Sequence, residues 1–287
     1  MNLRSALTSR GVRSTSRSMS LGVRIPRSLA LLVSVADPAE AISALEGGAS
    51  IIDAKDPTLG ALGAVRPEVL SEIHAAVDGR ALVTAALGDA VDVHHTERLA
   101  AEYSARGASF VKIGFAHVGD CRRVDALLAA AIRGCAGGSG VVAVAYADAP
   151  HVQSVDAWSL VDLAARSGAR GVLVDTADKL GERLTALWTP EQISSWVSDA
   201  RGWGLIAALA GRLGPDDFVV ARNAGADVVG VRSAACSSGE RTSRISADRV
   251  RLLRARLDED QGAGAPPPTM TERSSSTESP AMTLHRS

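Results

Sequence analysis

Strand-like apolar runs alternate with helical stretches along most of the chain, and that alternation limits the fold more than any other feature. The runs fall at 29–35, 50–55, 81–86, 109–113, 141–147, 171–175, 205–210 and 228–232. The first helical stretch opens at Asp37-Pro38, where Asp caps and Pro suits the first turn. Others follow at 67–77, 95–106, 122–133, 156–167, 190–201, 215–223 and 246–257. Several runs are apolar without a break, as strands covered on both faces are. The dipeptide Gly-Ala stands before a strand four times, at Gly48-Ala49, Gly107-Ala108, Gly168-Ala169 and Gly225-Ala226. Glycine there ends a helix with positive φ and turns the chain into the next strand. Eight strand–helix pairs over residues 28–257 predict a closed (β/α)8 barrel, the TIM-barrel architecture. An open doubly wound sheet is the alternative. Its first strand–helix turn would carry a Gly-x-Gly-x-x-Gly phosphate loop, which this chain lacks.

Composition narrows the function. The 287 residues carry a formal net charge of −1 and only 3% aromatic residues, which argues against a nucleic-acid surface. No apolar run reaches the roughly 18 residues of a membrane span, so no membrane contact and a cytoplasmic location are expected. Cys121, Cys135 and Cys236 read as reduced thiols rather than a disulfide framework. Residues 1–27 are rich in Arg and Ser and contain no acid. They read as a disordered extension, either an unstructured or misassigned start with Met19 as the true first residue, or an organellar transit peptide. From 258 the chain turns to Gln, Gly, Pro, Ser and Thr, so 258–287 is expected to be a disordered tail.

The lysines carry the chemical signal. There are three, Lys55, Lys112 and Lys179, against twenty-eight arginines. An amine can shed its proton and attack a carbonyl to form an imine, whereas a guanidinium stays charged. A GC-rich coding bias explains the low count equally well, but each lysine falls at or just beyond the end of a predicted strand. In a barrel of this kind those strand ends form the active-site mouth. Asp53 and Lys55, two apart, point to one face of their strand. Asp175 ends the sixth strand, with Lys179 four residues on. Crowded ammonium groups and partial burial lower an amine's pKa, which would free one amine as a nucleophile and another as a base. The bland alternative makes Asp53 and Asp175 salt-bridge partners and nothing more. Gly211, Arg212, Gly230 and Arg232 follow the seventh and eighth strands, where such barrels often bind phosphate; the alternative is ordinary turn glycine. His94, His95, His117 and His151 lack metal-ligand spacing, so no metal is expected. Thr84 and Tyr146 serve equally well as pocket lining or packing.

Several segments together resemble the (5-formylfuran-3-yl)methyl phosphate synthase family. They are Leu32-Val33-Ser34, the stretch from Gly47 through Asp53-Ala54-Lys55-Asp56-Pro57 to Ala64, Val111-Lys112-Ile113-Gly114, Val174-Asp175-Thr176-Ala177-Asp178-Lys179, Leu209-Ala210-Gly211 and Val229-Gly230-Val231-Arg232. The resemblance spans about 29–257. It implies a TIM-barrel lyase that condenses two molecules of glyceraldehyde 3-phosphate into a phosphorylated furan aldehyde, with loss of phosphate and water. It further implies Lys55 as the Schiff-base lysine, Lys112 as proton acceptor, and Asp53, Asp175 and Lys179 as supporting groups. The imine is the electron sink, so no cofactor is expected. The expected partner is a triose phosphate, and a homo-oligomer is expected. Ser233 departs from the family pattern where a small Gly is expected, as does the run Asp178-Lys179-Leu180-Gly181. Two rivals stand beside this reading: another Schiff-base sugar-phosphate aldolase, and a non-catalytic phosphosugar-binding barrel.

Overall fold

The computed structural model describes residues 29–262; the expectations for 1–27 and for most of the C-terminal tail lie outside the described residues. Eight parallel strands close into one barrel in chain order. They are β1 (Ala30–Val35), β2 (Ile51–Ala54), β3 (Leu82–Asp89), β4 (Phe110–Gly114), β5 (Gly140–Tyr146), β6 (Gly171–Asp175), β7 (Ile206–Leu209) and β8 (Val228–Val231). The helices outside them are α1 (Pro38–Glu46), α2 (Pro67–Val77), α3 (Val93–Ala105), α4 (Cys121–Cys135), α5 (Ala157–Ser167), α6 (Leu184–Leu187), α7 (Pro190–Gly202), α8 (Phe218–Asn223) and α9 (Ala247–Gly262). The short α6 is an addition to the sequence reading. Helix α9 runs on to Gly262, where a tail was expected from 258. Arg254 pairs with Asp258 and Arg256 with Glu259 along its surface, a local support that composition alone does not reveal.

Local chemistry sets the element ends. Asp37, Asp92, Asp120 and Asp156 each cap a helix by accepting a backbone N–H. The four Gly-Ala turns share one geometry, with φ of +91°, +91°, +87° and +75° at Gly48, Gly107, Gly168 and Gly225. The alanine N–H reaches back five residues in each, for example from Ala169 to the Ala164 carbonyl at 2.9 Å. All four precede even-numbered strands.

Two apolar layers result. Leu31, Val33, Ile52, Val111, Val172 and Val229 face outward into the helices. Leu32, Ile51, Ala86, Val144, Leu173 and Val228 fill the lumen. Strand pairing fixes the height of each lumen residue. Asp53 pairs with Thr84 and Thr84 with Phe110, so Lys112 stands two residues further along β4. Lys112 pairs with Val142 and Val142 with Gly171, which brings Leu173 to the same level. Leu173 pairs with Ala208 and Ala208 with Val228, which brings up Gly230. Four such steps of two residues close the ring, the stagger of an eight-stranded barrel of this class. Asp53, Lys112, Leu173 and Gly230 therefore share one layer. Lys55, Gly114, Asp175 and Arg232 make the layer above, at the C-terminal mouth.

Candidate active site

A cavity opens at that mouth, and every site residue predicted from the sequence lines it. Lys112 is placed differently from the expectation. It lies in the middle of β4 rather than at its end, one layer below Lys55. The strand continues to Gly114, where the lumen has no room for a side chain: a Cβ there would stand 2.6 Å from the Tyr146 hydroxyl.

The lower layer is a closed polar network. Asp53 is fully buried, and three groups donate to its carboxylate: Lys112 Nζ at 2.6 Å, Ser34 Oγ at 2.9 Å and Thr84 Oγ1 at 2.7 Å. A buried carboxylate needs such partners, since an unpaired one carries a desolvation cost of several kcal/mol. Thr84 thereby gains a function as a support, and Ser34 joins it unforeseen.

The upper layer holds Lys55. Lys55 follows directly after β2, with its N–H on the Val35 carbonyl at 2.9 Å, and its side chain is buried. Among the described residues Lys55 makes no ion pair. Burial pushes its amine down from 10.5 to about 7. Asp175 and Asp53 pull the other way, while Lys112 and Lys179 add to the depression. Asp175 accepts from Lys179 Nζ at 2.6 Å and from the Thr176 N–H at 2.8 Å. Burial alone would raise its carboxyl, but Lys179 and Lys55 outweigh that and hold it below the usual carboxylate range. The loop bearing Lys179 is itself clamped: Asp148 accepts from the N–H groups of Ala177 at 2.8 Å and Asp178 at 2.9 Å.

The loops after β7 and β8 form the other wall. Gly211 has φ of +100°, a conformation that glycine adopts freely, and its N–H and that of Arg212 bond to nothing among the described residues. Arg212 lies along the rim with its guanidinium on the Gly181 carbonyl. Arg232, expected as a phosphate ligand, is engaged within the protein: it grips Glu40 and three backbone carbonyls. In its place Arg241, which the sequence reading passed over, reaches the cavity from the loop before α9. Tyr146, left open between lining and packing, does not line this cavity. It is buried and donates to Asp89 at 2.7 Å, and burial together with Asp89 pushes its hydroxyl well above the usual range. Among the described residues no group of three His, Cys, Asp or Glu side chains is placed to hold a metal, and no helix is long and apolar enough to cross a membrane.

An amine titrating near neutrality beside ammonium and carboxylate groups, under a glycine-walled rim, suits imine chemistry on a small anionic carbonyl compound. Solved structures with this architecture include phosphoribosyl anthranilate isomerase from Thermus thermophilus, 15% identical with a TM-score of 0.55 over 80% of this chain and 99% of that one. A 3-hexulose-6-phosphate synthase aligns at 18% identity and a TM-score of 0.53, over 78% of this chain and 99% of that one. At that identity the likeness is one of fold. Sequence relatives say more. The (5-formylfuran-3-yl)methyl phosphate synthase of Methanothermobacter thermautotrophicus is 38% identical over 232 residues, 79% of this chain and 98% of its own. That of Methanocaldococcus jannaschii is 35% identical over 229 residues, 78% of this chain and 97% of its own. The profile of the 4-HFC-P synthase family matches residues 31–254. The chain belongs to the 4-HFC-P synthase family.

Proposed function

We propose that the protein condenses two molecules of glyceraldehyde 3-phosphate to (5-formylfuran-3-yl)methyl phosphate through an imine on Lys55. The observation that carries this is the Lys55 amine itself, buried, free of any ion pair among the described residues and lowered to about 7. Above that pH it holds a lone pair, so it attacks the aldehyde carbon and water leaves. The protonated imine draws electrons from the adjacent C–H bond and makes that proton acidic. Lys112 gives one of its protons to the Asp53 carboxylate it touches, its freed amine takes the proton from the C–H bond, and phosphate departs from the neighbouring carbon. The second molecule isomerises to its ketone form, and the carbon nucleophile adds to that carbonyl carbon, which carries the phosphomethyl branch of the product. Ring closure and dehydration give the furan, and its aromatic stability draws the sequence forward. Asp175 and Lys179 hold the mouth's charge pattern around the imine nitrogen. Membership of the family supports this reading, since the relatives bear that product's name.

The test is to incubate the purified protein with glyceraldehyde 3-phosphate, following phosphate release and ultraviolet absorption, and to trap the adduct with borohydride. Expected are free phosphate, the spectrum of a conjugated furan aldehyde, and a reduced adduct mapped to Lys55 by mass spectrometry. An adduct without the furan spectrum would point to an aldolase. Absence of both adduct and phosphate would leave a phosphosugar binder.

A further inference from the structure

The loop between β8 and α9 delivers a charged side chain to the cavity, and its anchoring explains why. The antiparallel bridge of Cys236 and Ile245 closes it, with the Ser237 N–H on the Arg244 carbonyl at 2.9 Å. Beneath it Arg232 uses every guanidinium N–H. Its Nε donates to the Arg241 carbonyl at 2.8 Å, Nη1 to the Ser34 carbonyl at 3.0 Å and to Glu40, and Nη2 to Glu40 Oε1 at 3.1 Å and the Ser243 carbonyl at 3.0 Å. A guanidinium has five such donors, so none is left for a ligand. Two of these bonds hold the loop that carries Arg241. The Arg241 guanidinium extends over the mouth to the loop after β2, with Nη2 on the Gly60 carbonyl at 2.9 Å.

The charge pattern of the cavity shows what is missing. Lys55, Lys112, Lys179, Arg212, Arg232 and Arg241 line it, against the carboxylates of Asp53 and Asp175. Lys112 pairs with Asp53, Lys179 with Asp175, and Arg232 with Glu40 behind the wall. Among the described residues Arg212 and Arg241 meet carbonyls and no carboxylate. Arg241 is part-buried at the cavity wall, and the carboxylate that acts on it, Asp175, is already paired with Lys179, so positive charge is in excess there and an anionic ligand would match it. A phosphate monoester dianion matches the fork of a guanidinium and the unbonded N–H groups of Gly211 and Arg212.

We propose that Arg241, braced from below by Arg232, is the side chain that grips the phosphate of the substrate. This rests on the reading of the site as one for phosphorylated aldehydes. One donor of Arg241 is engaged by Gly60, and the others are open to an anion at the rim.

The test compares the wild type with Arg241→Gln and Arg241→Lys. Calorimetry measures binding of glycerol 3-phosphate, which has the phosphate and no carbonyl, so imine formation plays no part. Borohydride trapping of unphosphorylated glyceraldehyde on Lys55 and the thermal midpoint are read in parallel. Arg241→Gln should weaken glycerol 3-phosphate about 10- to 100-fold, the worth of a charge-assisted hydrogen bond. Arg241→Lys should restore part of that, while glyceraldehyde trapping and the midpoint stay as in the wild type. The proposal is overturned if Arg241→Gln binds glycerol 3-phosphate as the wild type does, or if the wild type does not bind it. It is equally overturned if the variant also loses glyceraldehyde trapping, since Arg241 would then be a brace and not a ligand. Arg241-dependent binding without any furan from glyceraldehyde 3-phosphate would sustain this assignment and sink the proposed reaction.

Discussion

Replacing Lys55 by methionine should make the protein more stable, and by an amount that depends on pH. The unfolded chain holds the Lys55 proton up to 10.5, whereas the folded chain holds it only below about 7. Between those values the unfolded state carries more protons, so folding stability rises with pH across that window. Below 7 the full cost of a buried ammonium is present, on the order of 5 kcal/mol for a shift of this size. About 3 kcal/mol of that is relieved between pH 6 and pH 9. Lys55→Met has no such proton, so its advantage over the wild type is greatest at pH 6 and narrows by about 3 kcal/mol at pH 9. For a domain of this size that is about 6 to 12 °C in thermal midpoint. Calorimetric or circular-dichroism melts of both proteins from pH 6 to 9 check it. A gap between the two melts that stays constant with pH would refute the reasoning, because it would mean that the Lys55 amine is not depressed in the folded state.

If the proposed imine chemistry holds, kcat/KM should climb with pH and reach half its plateau near 7, and Lys55→Arg, unable to form an imine, should abolish turnover. Lys112→Met leaves the fully buried Asp53 without its counter-charge and should cost about 3 to 5 kcal/mol by chemical denaturation, with part regained when Asp53→Asn is added. Glu40→Gln strips Arg232 of its carboxylate and should cost a similar amount, about 3 to 5 kcal/mol, read the same way. Asp148→Ala frees the loop behind Lys179 and should slow saturated turnover about 10- to 100-fold, measured as phosphate release, with a far smaller change in midpoint.

The parts of this molecule that were legible beforehand are those encoded within one strand–helix unit. Gly-Ala turns marked the entries to β2, β4, β6 and β8 because a left-handed helix end requires glycine. The two-residue period placed Asp53 and Lys55 on one face, and the strand ends of β2 and β6 placed Lys55 and Asp175 at the mouth. Contacts between distant segments were hidden. Nothing local to Arg232 announces that Glu40, 192 residues away, will take up its charge. Ser34 looks like a strand serine until β2 is laid beside it and Asp53 comes within reach. Arg241 lies in a polar stretch without periodicity. Its one local signal is the cluster Ser237-Ser238-Gly239-Glu240, turn chemistry in a loop on the catalytic face. The depth of Lys112 also escaped notice, because height in a barrel is set by strand stagger and not by position along one strand.

That stagger divides the labour among the strands. The even strands bring Asp53 and Lys55, Lys112, Asp175, and Gly230 with Arg232 into the two layers at the mouth, at matching offsets from their Gly-Ala turns. The odd strands contribute mainly apolar filling and a few hydroxyl props. The barrel is thus a rota of four like modules, each presenting two positions to the lumen, five and seven residues beyond the glycine of its Gly-Ala turn. A different chemistry in such a ring is a matter of which side chains stand at those eight positions, with the strands and turns that hold them left standing.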